Sequence, residues 1–569
     1  MKKYLFIALA ALGFAACADK MDDVKSPAHN GELEESYIAI NLMAADVDSR
    51  AAEDTYGYEL GTEAEREINS AHFFFFDENG NPFNVNGAPA TAPGGSKNHM
   101  ALTISDYTTS NMPNVSDIKE AVLVLNTYKG VYPSKIVAVL NWTPAERAYS
   151  LADLHDVMAN LNTNGYVMAN SVYMDGAGKV VDATPLTAAN IKTSAEAAIA
   201  APVEIYVERI AAKVVLTASG KVAGTENIFD TQKSSTPILS AGVSSEIDVY
   251  VKLFGWELYN DYATTNLLKD VQNWDVATLG LTWNDIPYYR CYWAASQNVN
   301  PNDSFSWSYA DYASKGFPTA YGFNVASDAS YAAGTYTYCG ENTTTDYRTK
   351  VILKGQLMKK NGENYEKIEL ARWYGTEYAG NEALRIAVAN SIKYTLYYYD
   401  EENSKYISVA PEHLQCVKGK DVDANAKSYE VGFQLSTAGE AKTWYKYDSE
   451  KGYVVLGNTD VTGDNIAKAN EYLATVEPAL LYAEGMTYYS VDIKHLGATG
   501  KTAEYGVVRN HVYQIDIESI KGYGSPVYSG LDFVIDQPEY PTEDEASYVA
   551  ARINVLSWKV VKQGVDIVQ

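Results

Sequence analysis

Cysteine and histidine are scarce in this sequence of 569 residues, which contains four cysteines and seven histidines. Three cysteines remain besides Cys17, and they lie in apolar or aromatic surroundings: Cys291, Cys339 and Cys416. They form no Cys-x-x-Cys pair and no disulfide framework, so we expect buried free thiols. The histidines include no His-Glu-x-x-His and no pair at metal-ligand spacing, so the sequence predicts no metal site.

Positive charge is also in short supply. Lysine and arginine number 45 against 72 aspartates and glutamates, which gives a net charge of -27 at pH 7. Nucleic acid is excluded as an expected partner, because its phosphates attract clustered lysine and arginine. A strong negative charge is instead typical of a well-solvated surface protein whose copies repel one another.

The motifs of common catalytic and nucleotide-binding sites are missing too. The stretch GATGKTAEYG, residues 497–506, contains the Gly-Lys-Thr that ends a phosphate-binding motif, but His495 occupies the position of the first glycine of that motif. The acidic stretch 458–465 lacks the alternating oxygen ligands of a calcium loop, and no Gly-x-Ser-x-Gly elbow is present. Carboxylate pairs of the glycosidase kind stay open, since only geometry can select among so many acidic residues. We predict no cofactor and no enzymatic activity.

What the sequence does contain begins with a secretory leader. MKKYLFIALAALGFAAC places two lysines before an uncharged apolar segment and small residues before Cys17. The segment is too short to cross a hydrocarbon layer of about 30 Å as a helix. Lipoprotein signal peptidase requires small residues followed by cysteine, so residues 1–17 are the predicted signal peptide and Cys17 the predicted lipidation site. Phe14 replaces the usual leucine, and an ordinary cleaved leader is the alternative.

Alternating apolar residues, separated by turn residues at short intervals, predict a mostly β fold. The abundance of tyrosine, 46 residues, suits pleated sheets. A single helix is convincing, SLADLHDVMANL at residues 150–161, where Ser150 and Asp153 form a capping-box pattern. No long helices alternate with the strands, so we expect mostly antiparallel β-sandwiches and not a doubly wound α/β fold. The predicted strands include SYIAINLMA, HFFFFDENGNPF, EAVLVLNTY, KIVAVLNW, VEIYVERIAAKVVL, IDVYVKLFGWEL, KVILKGQL, YYSVDIKHL and GVVRNHVYQIDI.

A stretch rich in glycine and aromatic residues, 304–323, allows two interpretations. Its rings are suited to stacking on sugars, as on a lectin surface. They are equally suited to packing as a long loop over a sandwich, which is the interpretation we favour.

Eight stretches stand out in order along the chain, namely PSKIVAVLNWTP, GYVMANSVY, APVEIYVERIAAKVVL, VKLFGWELYN, IPYYRCYWAAS, YCGENT, MTYYSVDIKHLG and EYGVVRNHVYQIDIESIKGYGSPV. Together they resemble the landmarks of Bacteroidota fimbrillins, in particular the stalk subunits of type V pili. The resemblance implies two antiparallel, transthyretin-like β-sandwich domains with few short helices, a lipoprotein precursor and no enzymatic activity. It also implies polymerisation by strand exchange after an Arg-specific extracellular protease removes the N-terminal segment.

Arg50 lies where the resemblance puts the processing site, so we expect cleavage between Arg50 and Ala51. The alternation in SYIAINLMAAD sends Ile38, Ile40 and Leu42 to one face of a strand that precedes it. Burying three such side chains stabilises by about 5–9 kcal/mol, which is comparable to a whole domain's stability of about 5–15 kcal/mol. Removing this strand would leave an open groove. The strand therefore keeps the uncut precursor closed, and cleavage makes the subunit ready to accept a partner strand.

The expected donor strand is the C-terminal segment, residues 553–569. Its alternation changes phase, which predicts a bend or bulge between two half-strands. An ordinary closing strand of the chain's own domain is the alternative. The residues expected to insert into a neighbour are Ile553, Val555, Leu556, Trp558 and Val560.

The predicted division of the chain follows from these segments. Residues 1–17 are the signal peptide, 18–50 the propeptide, 51–203 the N-terminal sandwich, and 204–569 a C-terminal sandwich with insertions between about 300 and 460, where a third small module is possible. The expected partners are other copies of the chain, accessory fimbrial subunits, the Arg-specific protease, the outer membrane through the lipid before cleavage, and a host or bacterial surface ligand. A tip or anchor subunit, or a surface glycan-binding lipoprotein with a stacked aromatic platform, is the alternative.

Overall fold

The structure is a computed structural model that describes much, but not all, of the chain. Cys17, Arg50, Ala51, Trp558 and Val560 lie outside the described residues, as does the greater part of the aromatic stretch 304–323. The described residues are 33–45, 61–85, 97–102, 108–109, 115–128, 130–174, 180–240, 242–270, 321–324, 331–343, 348–424, 426, 430–458, 460–495, 505–526, 548–556 and 561–563.

The first part of the chain forms one large sheet. In the part of the chain that the structure describes, its strand order is β3-β2-β6-β8-β12-β1-β5-β4, with β11 beside β6. The strands up to residue 209 are β1 (Leu33–Ala45), β2 (Ala71–Phe76), β3 (His99–Leu102), β4 (Thr108–Thr109), β5 (Val115–Tyr128), β6 (Lys135–Leu140), β7 (Met158–Asn160), β8 (Met168–Asn170), β9 (Tyr173–Met174), β10 (Val180–Val181), β11 (Thr184–Pro185) and β12 (Val203–Arg209).

Both faces of this first sheet are buried. Phe73 and Phe75 of β2 enter one hydrophobic cluster, whereas Phe74 and Phe76 enter another on the opposite face. Continuous apolar runs are typical of strands that are covered on both sides. The short helices here are α1 (Glu63–Arg66), α2 (Leu151–Asp156) and α3 (Ala195–Ile199), with a 3-10 turn at Ala188–Asn190.

The helix predicted at residues 150–161 is confirmed at its start and wrong at its end. Ser150 and Asp153 form the expected capping box, and Leu151 and Leu154 are buried. The helix ends at Asp156, and Met158, expected on its buried face, begins β7 and is 52% exposed. Strand β7 pairs with a strand at Thr264–Asn266, and this long-range pairing overrides the local helical pattern.

The next part of the chain forms a sandwich of two sheets. One has the order β17-β13-β30-β32-β33, and the other contains β14, β15, β18, β29 and β31. Val214, Phe229, Leu353 and Tyr513 are among the residues that fill the space between them. The strands are β13 (Ala211–Thr217), β14 (Ile228–Ser240), β15 (Val243–Tyr259), β16 (Thr264–Asn266), β17 (Tyr336–Gly340), β18 (Lys350–Asn361), β29 (Met486–Asp492), β30 (Val512–Lys521), β31 (Ser525–Pro526), β32 (Tyr548–Leu556) and β33 (Val561–Gln563).

An inserted module with its own hydrophobic core lies between β18 and β29. Helix α4 (Gly380–Ser391), helix α7 (Asp464–Leu473) and strands of the second sandwich sheet surround that core, which includes Trp444. The remaining elements are β19 (Asn364–Lys367), β20 (Leu370–Trp373), β21 (Thr376–Tyr378), β22 (Tyr397–Asp400), β23 (Lys405–Ser408), β24 (Leu414–Lys418), β25 (Glu430–Leu435), β26 (Trp444–Asp448), β27 (Gly452–Val455), β28 (Ala479–Tyr482), α5 (Gly419–Val422), α6 (Thr437–Glu440) and 3-10 turns at Pro411–His413 and Ala483–Gly485.

The predicted mostly β fold with few short helices is confirmed. Most strand pairs are antiparallel, and among the described residues three pairs are parallel: β1 with β12, β13 with β30 and β14 with β21. Strand β12 ends in the first sheet at Arg209 and β13 begins in the next sheet at Ala211. The division after residue 203 stays a prediction. Among the residues that the structure describes, no helix is long and apolar enough to cross a membrane.

Candidate functional site

Strand β1 occupies an interior position in the first sheet. On one side it pairs antiparallel with β5, from Leu33 opposite Tyr128 to Ala45 opposite Val115. On the other side it pairs parallel with β12, from Ile40 opposite Val203 to Ala44 opposite Val207. Both edges of β1 are therefore hydrogen-bonded along its C-terminal half, and taking the strand away would separate β5 from β12.

The side chains around β1 form one face of a hydrophobic core. Ile38 is fully buried in that core. Ile40 lies opposite Ala121 and Val203, and Leu42 opposite Lys119 and Ile205. The neighbouring strands contribute buried apolar residues on both sides of β1: Ala121, Leu123 and Leu125 from β5, and Val203, Ile205 and Val207 from β12. A groove left by β1 would be lined by these residues.

The first described helix after the predicted cleavage site, α1, is anchored to the rest of the molecule through Glu65. Thr62 caps α1, because its hydroxyl accepts from the Glu65 amide and the Glu65 carboxylate accepts from the Thr62 amide at 2.6 Å. The Glu65 side chain is fully buried and lies 2.9 Å from the ammonium group of Lys213 on β13. Arg209 Nε donates to the Glu65 carbonyl at 2.6 Å, and the Tyr338 hydroxyl donates to the carboxylate. Glu65 thus ties the start of the first sheet's domain to the sandwich.

Electrostatics keep this buried carboxylate charged. Burial alone would raise the pKa of Glu65, but the positive charge of Lys213 and the hydrogen bonds from Lys213 and Tyr338 outweigh it, so the pKa lies below its ordinary value of 4.5. Burial, followed by the negative charge of Glu65, raises the pKa of Tyr338. The tyrosine therefore stays protonated and keeps its hydrogen bond to the carboxylate.

Further buried ion pairs surround this junction between the first sheet and the sandwich. Lys269 Nζ lies 2.7 Å from Glu208 Oε1. Arg509 lies 3.1 Å from Glu341 and donates to the Asn266 carbonyl at 2.6 Å. The sequence pattern does not predict these pairs. The available signal was the presence of charged residues inside apolar runs, as in YVERIAAKVVL and GVVRNHVY.

The C-terminal segment begins as part of its own sandwich. Strand β32 pairs antiparallel with β30, where Ile553 lies opposite Ile515, Val555 opposite Tyr513 and Leu556 opposite Val512. Strand β33 turns back onto β32 and pairs with it from Ile553 to Val555. The two strands lie at the end of the five-stranded sheet, in the described part of the chain. Trp558 and Val560 fall in the segment between them, outside the described residues.

The remaining site predictions have mixed outcomes. Cys339 and Cys416 are free and buried, as expected, whereas Cys291 lies outside the described residues. At the end of the aromatic stretch, Tyr321 packs on Trp256 with ring centroids 5.1 Å apart, in agreement with the packing interpretation for this residue. The cleavage residues Arg50 and Ala51 and the lipidation residue Cys17 lie outside the described residues. Within the described ranges, no group of three or more potential metal ligands was found.

The C-terminal part of the chain matches a known protein family. Residues 480–564 match the family described as major fimbrial subunit protein type IV, fimbrillin, C-terminal. This segment contains strands β29 to β33 and the sequence landmarks MTYYSVDIKHLG and EYGVVRNHVYQIDIESIKGYGSPV. The resemblance to fimbrillins is therefore confirmed on this segment. No match to a curated protein was found.

Several solved structures are similar to the chain at low identity. A fimbrilin (FimA) from Porphyromonas gingivalis W83 is 10% identical, with a TM-score of 0.33, covering 91% of this chain and 96% of that one. The tip fimbrial protein Mfa3 from Porphyromonas gingivalis is 13% identical, with a TM-score of 0.26, covering 91% and 99%. A fimbrial assembly protein from Parabacteroides distasonis is 12% identical, with a TM-score of 0.27, covering 59% and 85%. At TM-scores of this size the structural likeness carries no argument about this chain.

Proposed function

We propose that the chain is a structural subunit of a cell-surface fimbria or pilus that supports adhesion. In this proposal it is exported as a lipoprotein precursor, cleaved after Arg50 and polymerised by donor-strand exchange. The observation that carries the proposal is the interior position of β1, paired with β5 and β12. The match of residues 480–564 to the fimbrillin C-terminal family supports the fimbrial assignment.

The position of β1 explains why one cut would change the state of the subunit. The next described residue after β1 is Gly61, so Arg50 belongs to the segment between β1 and α1. Cleavage there separates β1 covalently from the body, while Glu65 still holds the new N-terminal region through Lys213. Departure of β1 exposes main-chain groups of β5 and β12, and an incoming strand can restore those hydrogen bonds.

Processing at Arg50 is tested by the N-terminal residue of fibre-derived protein. We expect mature subunits to begin at Ala51 and the Arg50→Ala variant to accumulate as full-length, lipid-bearing monomer at the cell surface. Arg50→Lys is the matched control, because it keeps the charge and is cut only by a protease that accepts lysine. Fibre protein that begins near residue 18 would contradict cleavage at Arg50 and favour an anchor subunit.

Lipidation at Cys17 is tested by metabolic labelling with a fatty acid. Cys17→Ala removes the acceptor thiol, so we expect the variant to lose the label and its surface delivery, because acyl chains provide the membrane anchor. A Cys17→Ala variant that still carries the label would overturn the lipoprotein assignment.

The donor strand is proposed to be the C-terminal segment, which β30 holds in the monomer. Deletion of residues 553–569 should leave a subunit that is processed and accepts a partner but donates to none, so that chains end at it. Replacing Trp558 and Val560 by Asp is the milder variant, since it places charges where the proposal buries apolar side chains. Mixed with wild-type protein, either variant should shorten fibres in proportion to its fraction, as measured by electron microscopy and unheated gels. If fibres keep their full length, or if the deletion unfolds the sandwich, the segment is an ordinary closing strand and not the donor.

A further inference from the structure

A face rich in tyrosine stands on the small sheet of the inserted module. Trp444 and Tyr398 point into the module core, where their rings lie 6.0 Å apart. Side chains alternate along a strand, so the next residues in each strand point the other way. This outer face, which we call the tyrosine face, consists of Tyr397 and Tyr399 of β22, Tyr406 of β23, Tyr445 and Tyr447 of β26, and Tyr453 of β27.

The six rings form a continuous platform. Tyr406 and Tyr453 stack with centroids 4.0 Å apart and an interplanar angle of 15°. The other rings meet these two edge to face, at 5.0 to 5.2 Å between centroids. Direct cross-strand pairing brings Tyr399 opposite Tyr406 and Tyr447 opposite Tyr453. Each ring is thus held by a neighbour, which reduces the side-chain entropy that a ligand would otherwise have to remove.

The platform is open to solvent although its rings touch one another. Tyr447 is 57% exposed, Tyr399 43% and Tyr453 37%. Aromatic residues that only stabilise a fold gain most by leaving water. Partly exposed tyrosines that their neighbours hold in place are instead typical of binding surfaces, where tyrosine supplies a large contact area and a polar hydroxyl.

The charge of the tyrosine face narrows the choice of partner. Its strand positions also include Ser408 and Val455, and none of these described residues carries a charge at neutral pH. Burial and then the neighbouring tyrosines raise the pKa of Tyr397, so this phenol stays protonated. The whole chain carries a net charge of -27, which opposes the binding of an acidic ligand. An uncharged face on an acidic protein suits an uncharged partner.

The geometry of the face also excludes one common mode of peptide recognition. The tyrosine side chains project from the face of the sheet, whereas main-chain pairing to a peptide strand would take place at the edge strands β23 and β27. Flat rings that also carry hydroxyls match sugars, because the C–H side of a sugar ring packs on an aromatic face while its hydroxyls exchange hydrogen bonds with phenols.

We propose that the tyrosine face binds uncharged sugar rings of a cell-surface glycan. The inference deepens the adhesive part of the proposed function and rests on it only for the location of the chain at the cell surface. It does not depend on cleavage at Arg50 or on fibre formation. Binding is therefore expected of the single, uncleaved subunit.

Affinity electrophoresis of the purified full chain tests the proposal. Native gels are cast with dextran, mannan or a galactan as neutral polysaccharides, and with heparin or polysialic acid as acidic ones. We expect at least one neutral polysaccharide to retard the chain and the acidic ones to leave its mobility unchanged. Tyr453→Ala and Tyr447→Ala should each weaken the retardation about tenfold, as truncation of a central aromatic contact does.

The controls separate binding from folding and from self-association. Tyr365→Ala is the matched control, because Tyr365 also packs against a tyrosine of another strand, Tyr250 at 5.0 Å, on a different sheet. If Tyr453→Ala lowers the melting temperature, the more exposed Tyr447 decides the result. The proposal is overturned if no neutral polysaccharide retards the chain, if heparin does so equally, or if both variants behave like Tyr365→Ala. Dimers in sedimentation velocity that the variants abolish, without retardation, would identify a second copy as the partner. Loss of binding with normal fibres would leave the fimbrial assignment intact.

Discussion

The attachment of β1 to the first sheet can be measured through Ile38. This side chain is fully buried in the core that β1 shares with β5 and β12. Ile38→Ala removes three carbon atoms from a closed core, a change that costs about 2–5 kcal/mol. Since about 1.4 kcal/mol corresponds to a factor of ten, the cleaved strand should dissociate at least about 30-fold faster.

The assay follows the strand after the cut. The purified precursor is cleaved briefly with an Arg-specific protease, and the fraction of N-terminal peptide that remains bound is measured over time by size exclusion and mass spectrometry. Ile136→Ala is the matched control, because Ile136 is also fully buried in the same core but lies on β6, which pairs with β2, β8 and β11. Both variants should lower the free energy of unfolding of the uncut protein, and only Ile38→Ala should speed release.

Equal release rates for the two variants would refute this reasoning. Such a result would mean that β1 leaves only when the whole domain unfolds. It would remove the basis for strand exchange at this position, whatever the status of cleavage at Arg50.

Three further predictions concern buried groups. Glu65→Ala should lower the free energy of unfolding in urea by about 3–5 kcal/mol, because it leaves the Lys213 charge buried without its carboxylate. A double variant that adds Lys213→Met should recover most of this loss. No recovery would contradict the ion-pair explanation. Burial, with a smaller contribution from Asp261, raises the pKa of Glu257 to about 8 from 4.5, so the folded state holds a proton that the unfolded state releases, and stability should fall as pH rises between these values. Glu257→Gln should make this fall shallower between pH 5 and pH 8 and should leave the part due to Glu377, whose pKa burial raises to about 7. Equal slopes for the variant and the wild type would refute the explanation. Trp444 is fully buried in the inserted module, so Trp444→Ala should lower the stability of that module by about 3–5 kcal/mol. Hydrogen exchange should show the module unfolding, and the release assay should show no change in the release of the β1 peptide.

Local pattern in the sequence was enough to predict much of the fold. The alternation around Ile38 correctly predicts a strand with a buried side, and the Ser150 to Asp153 spacing correctly predicts a capping box. Both features depend on interactions within a few residues, which the sequence displays directly. The proposed cleavage and lipidation residues rest on the resemblance and the leader, and they stay predictions.

Features that depend on distant parts of the chain were not predicted. Glu65 is separated from Lys213 by 148 positions, and nothing near either residue indicates the other. The tyrosine face needs four strands from two stretches of the insertion, 397–408 and 444–455, to come together. Composition instead indicates candidate sugar-stacking rings at 304–323, because it cannot show which aromatic residues share a face.

The buried ion pair between Glu65 and Lys213 has a mechanical consequence. Glu65 precedes β2 of the first sheet and Lys213 lies on β13 of the sandwich, so bending the subunit between them would pull the two charges apart and leave both without a partner in a buried site. The junction therefore resists flexion much more than a polar linker would. If the chain forms filaments as proposed, each subunit resists bending at this junction, and the filament under fluid flow would bend more easily where one subunit joins the next.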